Sequence, residues 1–293
     1  MEYRTLGNTG LTVSAIAFGG APAGLANYLS AYDPDEPAQA EQVAKAIVRA
    51  LELGVTYFDT ALAYGDGRSE RIFGEGRRRA GALGERMILA TKVPSGKRTR
   101  EGIVESAEMS LRNLGVERID VLQLHGSRWT DEEAETVLRG SALDALRALK
   151  EQGKARFIGF TAETGSPGAY ALIRSGAFDV LQIAYSILYQ DACNLMVKSG
   201  PMIEARERGM GVVTMRSLSS GVFQKLMTEQ LPGIERQVDL YALALGFTLS
   251  NPYLDSAIVG MRTAQEVEHN VRLVETRAFR VDLEALHRRY VER

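Results

Sequence analysis

The chain has 293 residues, 45% of them hydrophobic and 25% charged, and a net charge of −2. That is the composition of a soluble globular protein, and a charge so near zero gives no electrostatic case for nucleic acid or an anionic membrane as a partner. A single cysteine, Cys193, excludes an internal disulfide and a cysteine-rich metal site and fits a reducing cytoplasm. The opening MEYRTLGNTGLTVS is too polar for a signal peptide, and no apolar run reaches membrane-spanning length. A cytoplasmic protein is therefore expected. Length alone allows two small domains or one large barrel.

In chain order, YRTLGNTGLTV places Asn8 and Gly10 around Thr9 between two β-like runs and predicts a hairpin. After it, apolar β-type runs alternate with amphipathic helical runs. The first strand, SAIAFGG (14–20), leads through the long loop ANYLSAYDPDEP (26–37) to a helix over 39–54 that stops at Gly54. VTYFD (55–59) precedes a helix over 69–81 with a Ser cap. MILATKV (87–93) precedes a helix from Thr99 to Gly115, and IDVLQLH (119–125) one over 131–153. ARFIGF (155–160) is followed by 167–176, FDVLQIAY (178–185) by 194–209, MGVVTMR (210–216) by 235–250 and SAIVG (256–260) by 263–275.

The strands are short and mostly continuously apolar, as expected when both faces of a parallel sheet are buried. Eight such pairs with short connectors predict an α/β fold, a (β/α)8 TIM barrel over residues 1–293, with the N-terminal β-hairpin closing the barrel bottom. The rival is a doubly wound open sheet. It usually carries a G-x-G-x-x-G loop after its first strand, and FGGAPAG lacks that spacing.

In a barrel, the C-terminal ends of the strands converge on one mouth. Asp59 ends the second barrel strand and Tyr64 lies in the loop that follows, Lys92 lies near the end of the third, and His125 ends the fourth. Each has an ordinary structural use taken alone: a turn cap, a packed ring, an ion-pair partner, a satisfied core histidine. Independent structural uses need not land at one mouth. Jointly they make coherent chemistry. A phenol is a poor acid at neutral pH, and a neighbouring ammonium favours the phenolate. On this reading Lys92 supplies that charge, Asp59 holds Lys92, and His125 shares a hydrogen bond with the phenol or orients a carbonyl. A carbonyl oxygen held by Tyr64 and His125 is polarised for attack and then protonated by Tyr64. A hydride suits that arrangement as nucleophile, and it must come from a nicotinamide because no side chain provides one.

These residues resemble the aldo-keto reductase superfamily along essentially the whole chain. FDTALAYG (58–65), ATKV (90–93) and LQLHG (122–126) match the family's motifs, so its tetrad falls on Asp59, Tyr64, Lys92 and His125. The resemblance implies an NAD(P)H-dependent carbonyl reductase or alcohol dehydrogenase with Tyr64 as general acid/base, no metal, and a small carbonyl or alcohol substrate. The cofactor side departs from the pattern. The family's GxSN element is GFTAE here, with Thr161 and Ala162 at the Ser and Asn positions; Thr161 keeps a donor for the carboxamide. Gln182 matches the glutamine beneath the nicotinamide. MRSLSSG (215–221) replaces YSPLGxG, with Met215 for the stacking aromatic, Arg216 as added charge or an ion-pair partner, and Leu218, Ser219 and Gly221 around the pyrophosphate.

IVGMRTAQEVEHN (258–270) resembles the adenosine-phosphate site, with Gly260, Arg262, Glu266 and Asn270 toward the adenosine end. Arg262 suits a 2′-phosphate and Glu266 a free 2′-hydroxyl. NADP(H) is the first expectation and NAD(H) the second. Trp129, Tyr28 and Tyr32 are candidate pocket walls, and Cys193, His269 and His287 have no catalytic role. Monomers are common among similar barrels. Two other readings stand: a lyase with Lys92 as Schiff base, which needs a neutral lysine that Asp59 opposes, and a cofactor-binding redox sensor or regulatory subunit with little turnover.

Overall fold

The computed structural model describes residues 1–28 and 30–286. The chain opens on an antiparallel hairpin, β1 (Tyr3–Thr5) and β2 (Thr12–Ser14), with Tyr3 opposite Ser14. Its turn is a single 3-10 turn over Gly7–Thr9. Leu6, Leu11 and Val13 are buried against Ala17, Tyr57, Ala90, Val121, Val180 and Val213 of the barrel. The hairpin thus closes the barrel bottom, as the sequence predicts. Gly7 permits the approach: its φ is +48°, and a Cβ there would stand 2.3 Å from the Gly211 nitrogen.

Eight parallel strands form the barrel: β3 (Ile16–Gly19), β4 (Tyr57–Asp59), β5 (Ile88–Val93), β6 (Ile119–Leu124), β7 (Ala155–Ala162), β8 (Val180–Ala184), β9 (Gly211–Met215) and β10 (Ser256–Gly260). They pair in sequence order, and β10 returns to β3 with Ile258 opposite Ala17. Closure rules out the open-sheet alternative. Between the strands run α1 (Ala21–Gly24) and α2 (Pro37–Glu52), α3 (Arg68–Arg79), α4 (Arg100–Leu114), α5 (Asp131–Arg139) and α6 (Ser141–Glu151), α7 (Pro167–Arg174), α8 (Pro201–Glu207), α9 (Val222–Gln230) and α10 (Leu240–Leu249), then α11 (Ala264–Glu275).

Several boundaries differ from the sequence reading, each for a local reason. The helix predicted over 131–153 breaks at Gly140, whose extended backbone separates α5 from α6. The helix predicted over 194–209 begins only at Pro201, because proline supplies no amide to a preceding turn. Ser69 does not cap α3; Gly67 holds that position, and the Ser69 hydroxyl donates to Gly20 O instead. The strand predicted over 155–160 runs on to Ala162, so Thr161 lies within β7. The sequence reading missed α9 and the single turn α1.

Alternation along the strands places the polar groups. Successive side chains point to opposite faces, so inward residues are two apart. Tyr57 packs inside with the hairpin, while Phe58 faces outward, 5.7 Å from Phe18 between ring centroids and edge-on to Phe73 of α3. Asp59 is then inward again. The same step leads from Ala90 to Lys92, from Val121 to Gln123 and His125, from Val180 to Gln182, and from Val213 to Met215. An apolar layer therefore seals the lower barrel, and a polar layer lies above it toward the C-terminal mouth.

Candidate active site

Lys92 is fully buried, and its ammonium donates to Asp59 Oδ1 at 2.7 Å, Asp59 Oδ2 at 2.8 Å and Thr60 O at 2.7 Å. All three protons are used. Gln182 Nε2 reaches across the barrel from β8 to Asp59 Oδ2 at 3.4 Å, and Gln123 Nε2 donates to Gln182 Oε1 at 2.9 Å. Burial pulls the Asp59 carboxyl up and the Lys92 amine down, and each counters the shift on the other. Glu70, also buried, supports the ammonium from behind β5, where it accepts from Thr91 Oγ1 at 2.6 Å and Asn113 Nδ2 at 2.8 Å.

Tyr64 is carried by a tight turn. Its amide donates to Ala61 O at 3.0 Å, and its carbonyl accepts from Ser69 N at 3.2 Å. Gly24 of α1 touches this turn so closely that a Cβ there would lie 2.4 Å from Tyr64 O. The ring stands over Lys92, with Nζ 5.0 Å from its centroid, and meets His125 edge-on at 5.9 Å and 81°. The expected lowering of the phenol pKa by Lys92 does not occur here. Burial first, and then the Asp59 charge, push it well above the usual tyrosine value. The site keeps the proton on Tyr64.

His125 is held through its backbone. Its amide donates to Val93 O at 2.9 Å, and its carbonyl accepts from Arg98 Nη2 at 2.7 Å. Thr161 Oγ1 donates to Gly126 O at 2.7 Å and accepts from Gly126 N at 2.9 Å. Its single proton is thus committed to the histidine loop rather than free for a carboxamide. Trp129 is buried rather than a pocket wall: its Nε1 donates to Thr161 O at 2.8 Å, and its ring lies edge-on to Phe160. Burial, followed by the charges of Lys92 and Arg98, takes the His125 pKa down to about 3.

A histidine lowered on folding withdraws stability as pH falls from its unfolded value of 6.5 toward 3, because the unfolded chain binds the extra proton. Wild type should therefore lose stability more steeply than His125→Asn between pH 7 and pH 4 in urea titrations. Parallel curves would show that His125 titrates normally.

The cofactor-side residues are spread around the same mouth. Met215 Sδ lies 3.8 Å from Gln182 Nε2. Arg216 pairs bidentately with Glu163, at 2.6 and 2.9 Å, the second of its two expected uses. Arg216, Ser219 and Ser220 have φ of 55°, 55° and 51°, unusual for residues with side chains and a mark of a loop fixed by its surroundings. Leu218 is partly buried, and Ser219 Oγ lies 2.9 Å from Ser186 Oγ. Gly221 opens a cavity of about 720 Å³, also lined by Gln224, Lys225 and Arg236. Gln224 is buried, and both polar atoms of its amide lack a partner, which the sequence reading missed. The same cavity also takes in Glu235 and Asp239, so its two cations are matched by two carboxylates.

At the far end, Gly260 is exposed and Asn270 is buried on α11. The Arg262 guanidinium donates to Ser30 Oγ and lies 4.6 Å from the Tyr32 ring. Tyr32 is buried beneath it rather than a pocket wall, whereas Tyr28 is exposed. Glu266 completes a capping box: Oε2 accepts from Arg262 N at 2.6 Å and Thr263 N at 3.0 Å. His269 meets Asp239 at 3.1 Å, Cys193 is buried, and His287 lies outside the described residues.

Comparison with known proteins agrees with this fold. The sequence model of the aldo/keto reductase family matches residues 15–237. L-galactose dehydrogenase from Arabidopsis thaliana is 30% identical, over 98% of this chain and 92% of that protein. A probable voltage-gated potassium channel subunit beta from Arabidopsis thaliana is 26% identical, over 94% of this chain and 92% of that protein. Among solved structures, an aldo-keto reductase from Klebsiella pneumoniae in complex with NADPH superimposes with a TM-score of 0.73 at 20% identity, over 98% of this chain and 94% of the other.

Proposed function

Since the chain belongs to the aldo/keto reductase family, we propose that it interconverts a small aldehyde or ketone and the corresponding alcohol with a nicotinamide cofactor. One observation carries this reading: Tyr64 and His125 meet above a buried Lys92–Asp59 pair at the barrel mouth. When bound, the reduced nicotinamide supplies the hydride. The Tyr64 hydroxyl and the His125 imidazole hold the carbonyl oxygen, and Tyr64 gives it a proton as negative charge develops there. Lys92 and Asp59 fix the field beneath the phenol without moving. Lys92 as a Schiff-base nucleophile fits poorly, because its ammonium is held by three acceptors.

NADP(H) is the proposed cofactor, supported by the solved neighbour that carries NADPH. NAD(H) is the second choice, because Glu266 places a carboxylate at the start of α11. The test is loss of reduced-nicotinamide absorbance with an aromatic aldehyde, run with NADPH and NADH in parallel. Turnover with either supports the reading. Glu266→Gln should tighten NADPH binding relative to NADH by roughly tenfold in fluorescence titrations, the size expected when one charge repulsion is removed; an unchanged ratio would take Glu266 out of the ribose site. Likeness to the potassium channel subunit supports a second reading, a cofactor-binding regulatory subunit. Cofactor binding with no reduction of any carbonyl would favour it.

A further inference from the structure

Arg98 belongs to none of the motifs that carry the site, yet two of its contacts fall on the loop that bears His125 and a third on the helix that follows it. It lies in the connection between β5 and α4. Nη2 donates to the His125 carbonyl at 2.7 Å. The guanidinium carbon lies 3.9 Å from the centroid of the buried Trp129 ring. Nη1 donates at 3.1 Å to Glu133, which also caps α5 at Thr130. The Arg98 side chain is 15% exposed. A planar cation that stacks and donates a directed hydrogen bond fixes its partner more tightly than a lysine can.

We propose that Arg98 is a positioning residue for the reaction, setting where the His125 ring stands against Tyr64 by clamping the His125 carbonyl and the Trp129 ring. The inference rests on the reductase reading of the site. Among the described residues it is Arg98 that holds the His125 carbonyl, while the Trp129 ring is also held at Nε1 by Thr161 O. Val93 O anchors the His125 amide, Thr161 holds Gly126, and Glu163 N donates to Ser127 O at 2.7 Å. Among the described residues, Arg98 alone holds the His125 carbonyl and the Trp129 ring together. The Arg98 charge also opposes a second cation on the imidazole, reinforcing what burial does. The ring is then kept neutral, as a hydrogen-bond donor to a carbonyl rather than an acid.

The experiment compares wild type, Arg98→Met and Arg98→Lys as full chains. It reads kcat and KM with an aromatic aldehyde, cofactor affinity by fluorescence, and the His125 titration by NMR, assigned with His125→Asn. Arg98→Met should lower kcat by roughly 10²-fold, the usual result of a small misplacement, with cofactor affinity unchanged and the His125 pKa moved up from about 3. Arg98→Lys should keep the low pKa but not restore kcat, since it retains charge without the stacked fork. Wild-type kcat and titration in Arg98→Met would overturn the proposal. So would an activity loss matched by an equal loss of cofactor binding, which marks general disruption. If Arg98→Met does not fold, Arg98→Lys decides: a lowered kcat at intact cofactor affinity supports the clamp, and wild-type kcat refutes it. If no carbonyl is reduced even by wild type, the reductase reading fails, while the NMR titration still reports whether Arg98 governs His125.

Discussion

Tyr64→Phe is expected to lower carbonyl reduction by roughly 10²- to 10⁴-fold, the usual contribution of a positioned proton donor. The substitution removes one oxygen and leaves the ring, so the contacts with Lys92 at 5.0 Å and with His125 at 5.9 Å persist. Stability and cofactor affinity should therefore stay at wild-type values, and the loss should fall in kcat. Burial and the Asp59 carboxylate hold the phenol pKa above the ordinary value, so the proton to be donated is in place on Tyr64 at neutral pH, held more tightly than on a free phenol. Kinetics with an aromatic aldehyde, alongside cofactor titration, make the check. Retained turnover would remove Tyr64 from the proposed role.

Lys92→Met is expected to lower unfolding free energy by about 3–5 kcal/mol, the range for stripping one partner from a buried ion pair. The Asp59 carboxylate would keep Gln182 at 3.4 Å but lose the ammonium that engages both its oxygens. Adding Asp59→Asn should recover much of that loss, since the remaining amide is neutral, while activity stays low in both variants. Urea denaturation of the single and double variants measures this. A single variant within about 1 kcal/mol of wild type would mean that Asp59 takes up a proton at little cost, contrary to the structure's fully engaged pair.

The tetrad was legible because it lies on a repeating frame. Eight apolar runs mark the strands, and strand-end positions in a barrel share one mouth whatever the intervening loops do. Asp59, Lys92 and His125 could therefore be placed together with no contact in hand. Arg98 and Gln224 were not legible. Arg98 acts on a backbone carbonyl and an indole face, neither of which leaves a spacing in the sequence. Gln224 stands out through two buried atoms without partners, a property of its surroundings rather than of its type. Thr161 and Trp129 were legible as residues near the site, but what each side chain bonds to was decided by partners 32 to 35 residues away.

By itself, then, the sequence determined the barrel, the hairpin beneath it and the four ionisable groups at its mouth, because alternation and strand order are local properties that survive translation into space. Tertiary structure decided the state of those groups. Residue type and spacing suggested that Lys92 would draw the phenol toward its anion. Packing surrounds Lys92 with three acceptors, buries Tyr64 beside the Asp59 charge and leaves His125 neutral. Desolvation and the cancellation of paired charges depend on which groups are buried together, and no linear spacing records that.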